Sequence, residues 1–158
     1  MSGYSNVTFL NEIVSFEWTD TVVSYRPAIK NNTLFTTNKE DIIYTSYMLK
    51  HDGNVTTWGS EILGIQQSIV KIPSNEWTRI AFLTTASKVY SNNTTFIFPE
   101  ARGTGVLGMT CQVKIPLCVN LTQMFGEGNE PSTAAEFEAL CSRNGIDLTQ
   151  PQPYNEGT

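Results

Sequence analysis

IIYTSYML, residues 42–49, is the stretch from which the fold is read. β-Branched and aromatic residues dominate it and no glycine or proline interrupts it, so it predicts a strand. Alternation puts Ile43, Thr45, Tyr47 and Leu49 on one face and Ile42, Tyr44, Ser46 and Met48 on the other. Both faces carry apolar groups, which places the strand inside its sheet instead of at an exposed edge. Tyr44 and Tyr47 point to opposite faces, and under a single covering layer only one of them would be core.

Working outward, residues 4–18 predict two short strands meeting near Asn11-Glu12, and residues 21–26 another β-prone run ended by Arg26-Pro27. Asn31-Asn32 reads as a turn, with Leu34-Phe35 after it. Residues 51–60, HDGNVTTWGS, read as a polar loop with Asp52-Gly53 as a hairpin turn. Extended structure resumes over residues 62–72 with a break at Gly64, and Pro73-Ser74-Asn75 is the next turn. Residues 77–85 predict a second well-marked strand, with Trp77 and Trp18 expected in the core. A short strand over residues 94–98, a loop over 99–105 and a last long strand over 106–119 follow. Pro116 restricts that last ladder to an edge or a bulge. No helix separates these strands, which excludes a parallel α/β sheet and predicts an all-β protein, a β-sandwich or jelly roll with a short C-terminal helical segment.

That segment is residues 120–140, NLTQMFGEGNEPSTAAEFEAL. Asn120 with Gln123, and Thr133 with Glu136, have capping-box spacing, and Gly126, Gly128, Asn129 and Pro131 break the helix between them. Leu121, Met124 and Phe125, then Phe137 and Leu140, supply apolar groups to seal the β-domain. Asn144-Gly145 reads as a helix C-cap. The expected organisation is a single β-sandwich domain over residues 1–145, with helices within 120–143 and a polar tail over 146–158.

Composition narrows the function. The chain has 158 residues, 40% hydrophobic and 16% charged, suiting one globular domain rich in Thr, Ser and Asn. Net charge is −5 and the ten basic residues are scattered, which argues against nucleic acid as a partner. No apolar run reaches the roughly 18 residues of a membrane span, and MSGYSNVTF lacks the pattern of a signal peptide, so synthesis and folding in a cytosol are expected, without membrane insertion. Cys111, Cys118 and Cys141 match no zinc or redox spacing and read as buried free thiols. His51, the single histidine, reads as a loop residue. The acidic residues sit mostly in turns and in the helical segment, and no nucleophile elbow, phosphate loop or EF-hand occurs, so no catalytic residues or metal ligands are assigned and no enzyme is expected. A structural calcium held by loop oxygens is the one cofactor the composition leaves open.

The segment LTQMFGEGNEPSTAAEFEAL resembles the C-terminal signature of jelly-roll modules in virion proteins of tailed bacteriophages and prophages. There a final strand runs into LTxMFGxGNEP and an acidic helix with a Glu-Phe pair. Leu121, Thr122, Met124, Phe125, Gly126, Gly128, Asn129, Glu130, Pro131, Glu136 and Phe137 match it. DIIYTSYMLK sits at the place of that family's tyrosine-rich strand, and NEWTRIAFLTTAS resembles its Trp-led strand, a feature shared with carbohydrate-binding modules. The resemblance covers about residues 33–141. CQVKIPLC, residues 111–118, departs from it where an acidic, open strand is expected.

The resemblance implies a non-enzymatic structural subunit of the virion, made in the cytoplasm of a bacterial host, decorating the capsid as a head fibre or accessory protein, or a tail appendage. Its implied partners are other virion proteins and copies of itself, a trimer among the candidates. A second implied role is a tail-fibre module binding bacterial surface glycans, and a glycan-degrading enzyme is a distant third. Glycan binding needs an open aromatic ring beside hydrogen-bonding groups. Trp58 in its polar loop, with Asp52, Asn54 and Tyr47, is the sequence's candidate set, against the alternative that Trp58 anchors the loop into the core.

Overall fold

A computed structural model of the chain describes residues 4–10, 13–18, 29–33, 36–53, 57–62, 65–70, 72–90, 94–102 and 108–150. Among them, nine strands precede two helices: β1 (Tyr4–Leu10), β2 (Ile13–Trp18), β3 (Ile29–Thr33), β4 (Ile42–His51), β5 (Thr57–Ile62), β6 (Ile65–Val70), β7 (Thr78–Thr85), β8 (Thr94–Arg102), β9 (Thr110–Asn120), α1 (Leu121–Phe125) and α2 (Ala134–Arg143). The strand pairs are antiparallel and form two sheets, ordered β1-β2-β9-β4-β7 and β3-β8-β5-β6.

β4 lies between β9 and β7, as its two apolar faces require. Ile43, Thr45, Tyr47 and Leu49 are fully buried on one face, and so are Tyr44 and Ser46 on the other. Both tyrosines are therefore core, which corrects the single-layer expectation: the sheet is covered on each side here. The expected hairpin at Asp52-Gly53 does not form between β4 and β5, because β5 pairs with β6 and β8 in the other sheet. The expected loop over residues 51–60 gives way to strand at each end, β4 running to His51 and β5 starting at Thr57. Asn31-Asn32 lies inside β3 and not in a turn, and β8 continues through Pro99 to Arg102. The runs expected at 21–26 and 34–35 lie outside the described residues.

Pro116 sits where a missing N–H does least harm. On one side β2 pairs with β9 only as far as Lys114, and on the other the register steps from Met48↔Lys114 to Ser46↔Leu117. Ile115 and Pro116 thus oppose the single residue Tyr47 in a bulge. Ile115 adopts φ 53°, a left-handed backbone that costs a β-branched residue about 1–3 kcal/mol.

Local chemistry sets the helix ends. Asn120 Oδ1 accepts from Gln123 N at 3.0 Å, and Thr133 Oγ1 accepts from Glu136 N at 3.1 Å. The return bonds of the two expected boxes are displaced. Glu136 accepts from Ser132 N and Oγ, both at 2.7 Å, and Gln123 Nε2 donates to Thr36 O at 3.3 Å. α2 ends as expected: Gly145 (φ 76°) donates to Ser142 O at 3.0 Å and Ile146 to Cys141 O at 2.9 Å, a Schellman motif.

Leu121, Phe137, Cys141 and Leu148 bury against Tyr44, with Leu83, Leu117, Val119 and Phe125 packed around them. The Tyr44 and Phe137 rings lie 4.7 Å apart, and Phe125 meets Phe137 edge-on at 6.3 Å. Two sequence expectations change. Met124 is 59% exposed and seals nothing, while Phe125 is only half-buried. Residues 146–150, assigned from sequence to a polar tail, begin with chain that packs: Leu148 is part of this cluster.

Candidate functional site

The polar residues of the helical segment form a clasp. Asp41 Oδ2 accepts from Asn38 N at 2.8 Å and from Asn120 Nδ2 at 2.6 Å. Ile42 N donates to Thr122 Oγ1 at 2.8 Å, and that hydroxyl donates to Glu130 Oε1 at 2.6 Å. The Thr122 bond leads the effects that hold the Glu130 carboxyl below its usual range. These contacts join the start of β4, α1 and the turn through Gly126 (φ 87°) and Gly128 (φ 79°), where the left-handed backbone calls for glycine. Thr122 and Glu130 are thus joints between elements.

A second network pins α2. Arg79 on β7 donates through Nε to Glu138 Oε1 at 2.9 Å, through Nη1 to Leu148 O at 2.7 Å, and through Nη2 to Tyr44 Oη at 2.8 Å and Ser46 Oγ at 3.2 Å. Tyr44 Oη donates in turn to Glu138 Oε1 at 2.6 Å. Burial, then the bond to Glu138, pushes the Tyr44 phenol up to about 12, so it remains a donor at neutral pH. Burial works to lower the Arg79 guanidinium, but its bonds to Glu138 and Tyr44 prevail and raise it. A cleft of about 420 Å³ opens beside this pair, lined also by Ser142, Asp147 and Thr149. Arg79 already spends its donors on protein acceptors, so the cleft reads as a seam between helix and sheet.

Of the sequence's candidate set, Tyr47 and Asp52 have described side chains. Tyr47 is fully buried and cannot meet a ligand. Trp58 belongs to β5 in the second sheet and not to a loop, and its side chain lies outside the described residues, as does Asn54. Asp52 is exposed just after β4, where its Oδ1 accepts from Thr110 N at 2.7 Å. His51 is no loop histidine: it is 2% exposed, its Nε2 3.0 Å from Ile72 O. Among the described residues, no three His, Cys, Asp or Glu side chains are grouped to hold a metal ion.

Among the described side chains, one tryptophan is partly exposed. Trp77, expected in the core, is half-buried at the start of β7, and Lys114 Nζ lies 4.4 Å from its ring centroid. The strand register shows what surrounds it. Ser15↔Gln112↔Lys50 are cross-strand partners on β2, β9 and β4, and extending Leu49↔Thr78 by one residue sets Trp77 beside Lys50. Gln112 Nε2 donates to Ser15 Oγ at 3.3 Å, so these side chains share a face. Lys114, Met48 and Arg79 form the next row toward α2, and Glu17, Thr110 and Asp52 continue the pairing on the outer side.

The helices cover the Tyr44 half of this face. On the other half Ser15, Gln112, Lys50, Met48, Lys114 and Trp77 are all half-buried. Three inter-strand steps separate Trp77 from Ser15, roughly 14 Å. Sequence reasoning missed this group because its members lie on β2, β4 and β9 and just before β7, far apart in the chain. The one local signal was Trp77 in a polar context, with Glu76 before it and Thr78 after.

No protein-family profile matches the chain, and no curated protein matches it by sequence. Among solved structures it is similar to one described as "Family 16 Carbohydrate Binding Module-2", at 9% identity and a TM-score of 0.43, over 67% of this chain and 76% of that one. A likeness of that depth does not assign a ligand to this chain.

Proposed function

We propose that this chain is a non-catalytic β-sandwich of the jelly-roll type that binds glycans across the open half of its five-stranded sheet. The observation that carries the reading is the half-buried Trp77 ring, faced by Lys114, which lies one row from the cross-strand partners Lys50, Gln112 and Ser15. A pyranose presents an apolar C–H face to stack on such a ring, and its hydroxyls bond to amide, ammonium and carboxylate groups at the edges. The row offers all of these, with Asp52 and Glu17 at the rim.

The setting proposed for this module is a tailed-phage virion, as a capsid decoration or a tail appendage, assembled with other virion proteins and with copies of itself. What supports this setting is the LTQMFGEGNEP resemblance. The glycan face makes the receptor-binding role and the decorating role compatible in one subunit.

The test is retention on immobilised bacterial surface polysaccharides, followed by titration calorimetry. Wild-type protein should bind at least one polysaccharide. Trp77→Ala should lose about 1–3 kcal/mol of binding free energy, as loss of a stacking platform does, while keeping its circular dichroism spectrum. Unchanged binding by Trp77→Ala, or no binding by wild type across a broad panel, overturns the assignment.

A further inference from the structure

We infer that the saccharide bound on this face is anionic, its carboxylate or phosphate seated between Lys50 and Lys114; this rests on the glycan reading above. Charge on the face is sorted by row. Lys50 and Lys114 occupy adjacent rows, on β4 and β9, with Gln112 beside Lys50 and Met48 beside Lys114. Neither lysine has an ion-pair partner among the described residues. The remaining cation of these rows, Arg79, is neutralised by Glu138 at 2.9 Å.

The carboxylates of the same face stand apart. Asp52 and Glu17 lie in the outer row, which two residues of strand separate from Lys50 by about 7 Å. Asp52 is engaged with Thr110 N. Glu76, next to Trp77, is exposed outside the strand. In a chain of net charge −5, two ammonium groups with no ion-pair partner among the described residues, beside a half-buried indole, form a local site of opposite sign to the whole.

The β9 bulge contributes to this arrangement. It falls at Ile115-Pro116, immediately after Lys114, and that lysine's ammonium lies over the Trp77 ring instead of extending into solvent. A neutral sugar stacking on that face of the ring would have to displace the ammonium. A sugar acid gives it a partner at the ring's edge: the lysine exchanges a weak cation–π contact for a charge-assisted hydrogen bond. The outer carboxylates then accept from hydroxyls on the far side of the same unit. This orientation sets the acid toward α2 and the hydroxyls toward the rim.

The experiment compares matched ligands. Alginate, polygalacturonate and hyaluronan are titrated beside their carboxyl-reduced forms, with a phosphate-bearing teichoic acid as the second source of negative charge. Expected is binding to at least one acidic polymer, about tenfold or more weaker after carboxyl reduction or after Lys50→Gln or Lys114→Gln. Affinity should also fall as salt rises. Teichoic acid binding in place of the uronates, with the same lysine dependence, supports the anionic seat and identifies phosphate as its occupant. Equal binding of native and carboxyl-reduced polymers, with Lys50→Gln/Lys114→Gln at wild-type affinity and Trp77→Ala inactive, overturns the anionic seat and leaves the glycan reading standing. Affinity for acidic polymers that depends on the lysines and ignores Trp77→Ala would instead show adsorption to a basic patch, and both assignments would fall.

Discussion

Replacing Phe137 by alanine probes how the helical segment is held. Phe137 is 3% exposed, stacks at 4.7 Å on Tyr44 and meets the Phe125 edge at 6.3 Å. It and Cys141 are the buried residues of α2. Truncation removes a whole aromatic side chain from a site closed on one side by β4 and on the other by the helix itself, leaving a cavity with little freedom to collapse. The expected cost is about 3–5 kcal/mol, or a drop in melting temperature of about 10 °C for a chain of this size.

Phe125 provides the internal comparison. Because it is only half-buried, Phe125→Ala should cost about half as much, roughly 2 kcal/mol. The double variant should lose less than the sum of the two, by about 0.5–1.5 kcal/mol, since the edge-on ring pair is counted in each single change. Urea denaturation, monitored by tryptophan fluorescence, measures all three through the midpoint at unchanged slope. A loss below about 1 kcal/mol for Phe137→Ala, or a larger loss for Phe125→Ala than for Phe137→Ala, would refute this account of the packing. A fall in slope would show that the helices leave the sheet before it melts, which is equally incompatible with one shared core.

Three further outcomes are expected. Arg79→Met should cost about 2–3 kcal/mol, because Tyr44, Ser46 and Leu148 O each lose a donor, whereas Glu138→Gln, at a pair that is still partly solvated, should cost about 1 kcal/mol; amide exchange over residues 146–150 should quicken in the first variant. Glu130 and Glu136 have folded-state pKa values below the ordinary 4.5, held down chiefly by Thr122 and Ser132. Their stabilising effect is complete above the unfolded value and disappears as pH falls through the folded one, so Glu130→Gln/Glu136→Gln should flatten the acid limb of stability against pH; an unchanged limb below pH 4.5 refutes it. Burial pushes the Cys118 thiol up to about 12 and raises Cys111 as well, so a thiol reagent at pH 8 should label neither until urea unfolds the chain.

What was legible in the sequence was local. Apolar groups on both faces of IIYTSYML marked β4 as an inner strand of its sheet, Asn120 and Thr133 marked two helix starts, Gly145 marked a helix end, and Pro116 marked the bulge. Each signal works through neighbours within a few residues, where backbone sterics and single hydrogen bonds decide the outcome. The candidate site was not legible for the complementary reason. Tyr47 looked like a surface group because one strand cannot reveal how many layers cover it, and Trp58 looked like a loop residue because its partners lie on β6 and β8.

The row from Trp77 to Ser15 exists only through pairing between distant strands. Ser15 and Gln112, joined by a hydrogen bond, are 97 residues apart, and Asp41 and Asn120 are 79 apart. By itself, then, the chain determined its best-marked strands, β4 and β7, its helix caps and the break at Pro116. Tertiary structure decided which side chains share a face, because a one-residue change of register would turn every one of them to the opposite side of the sheet.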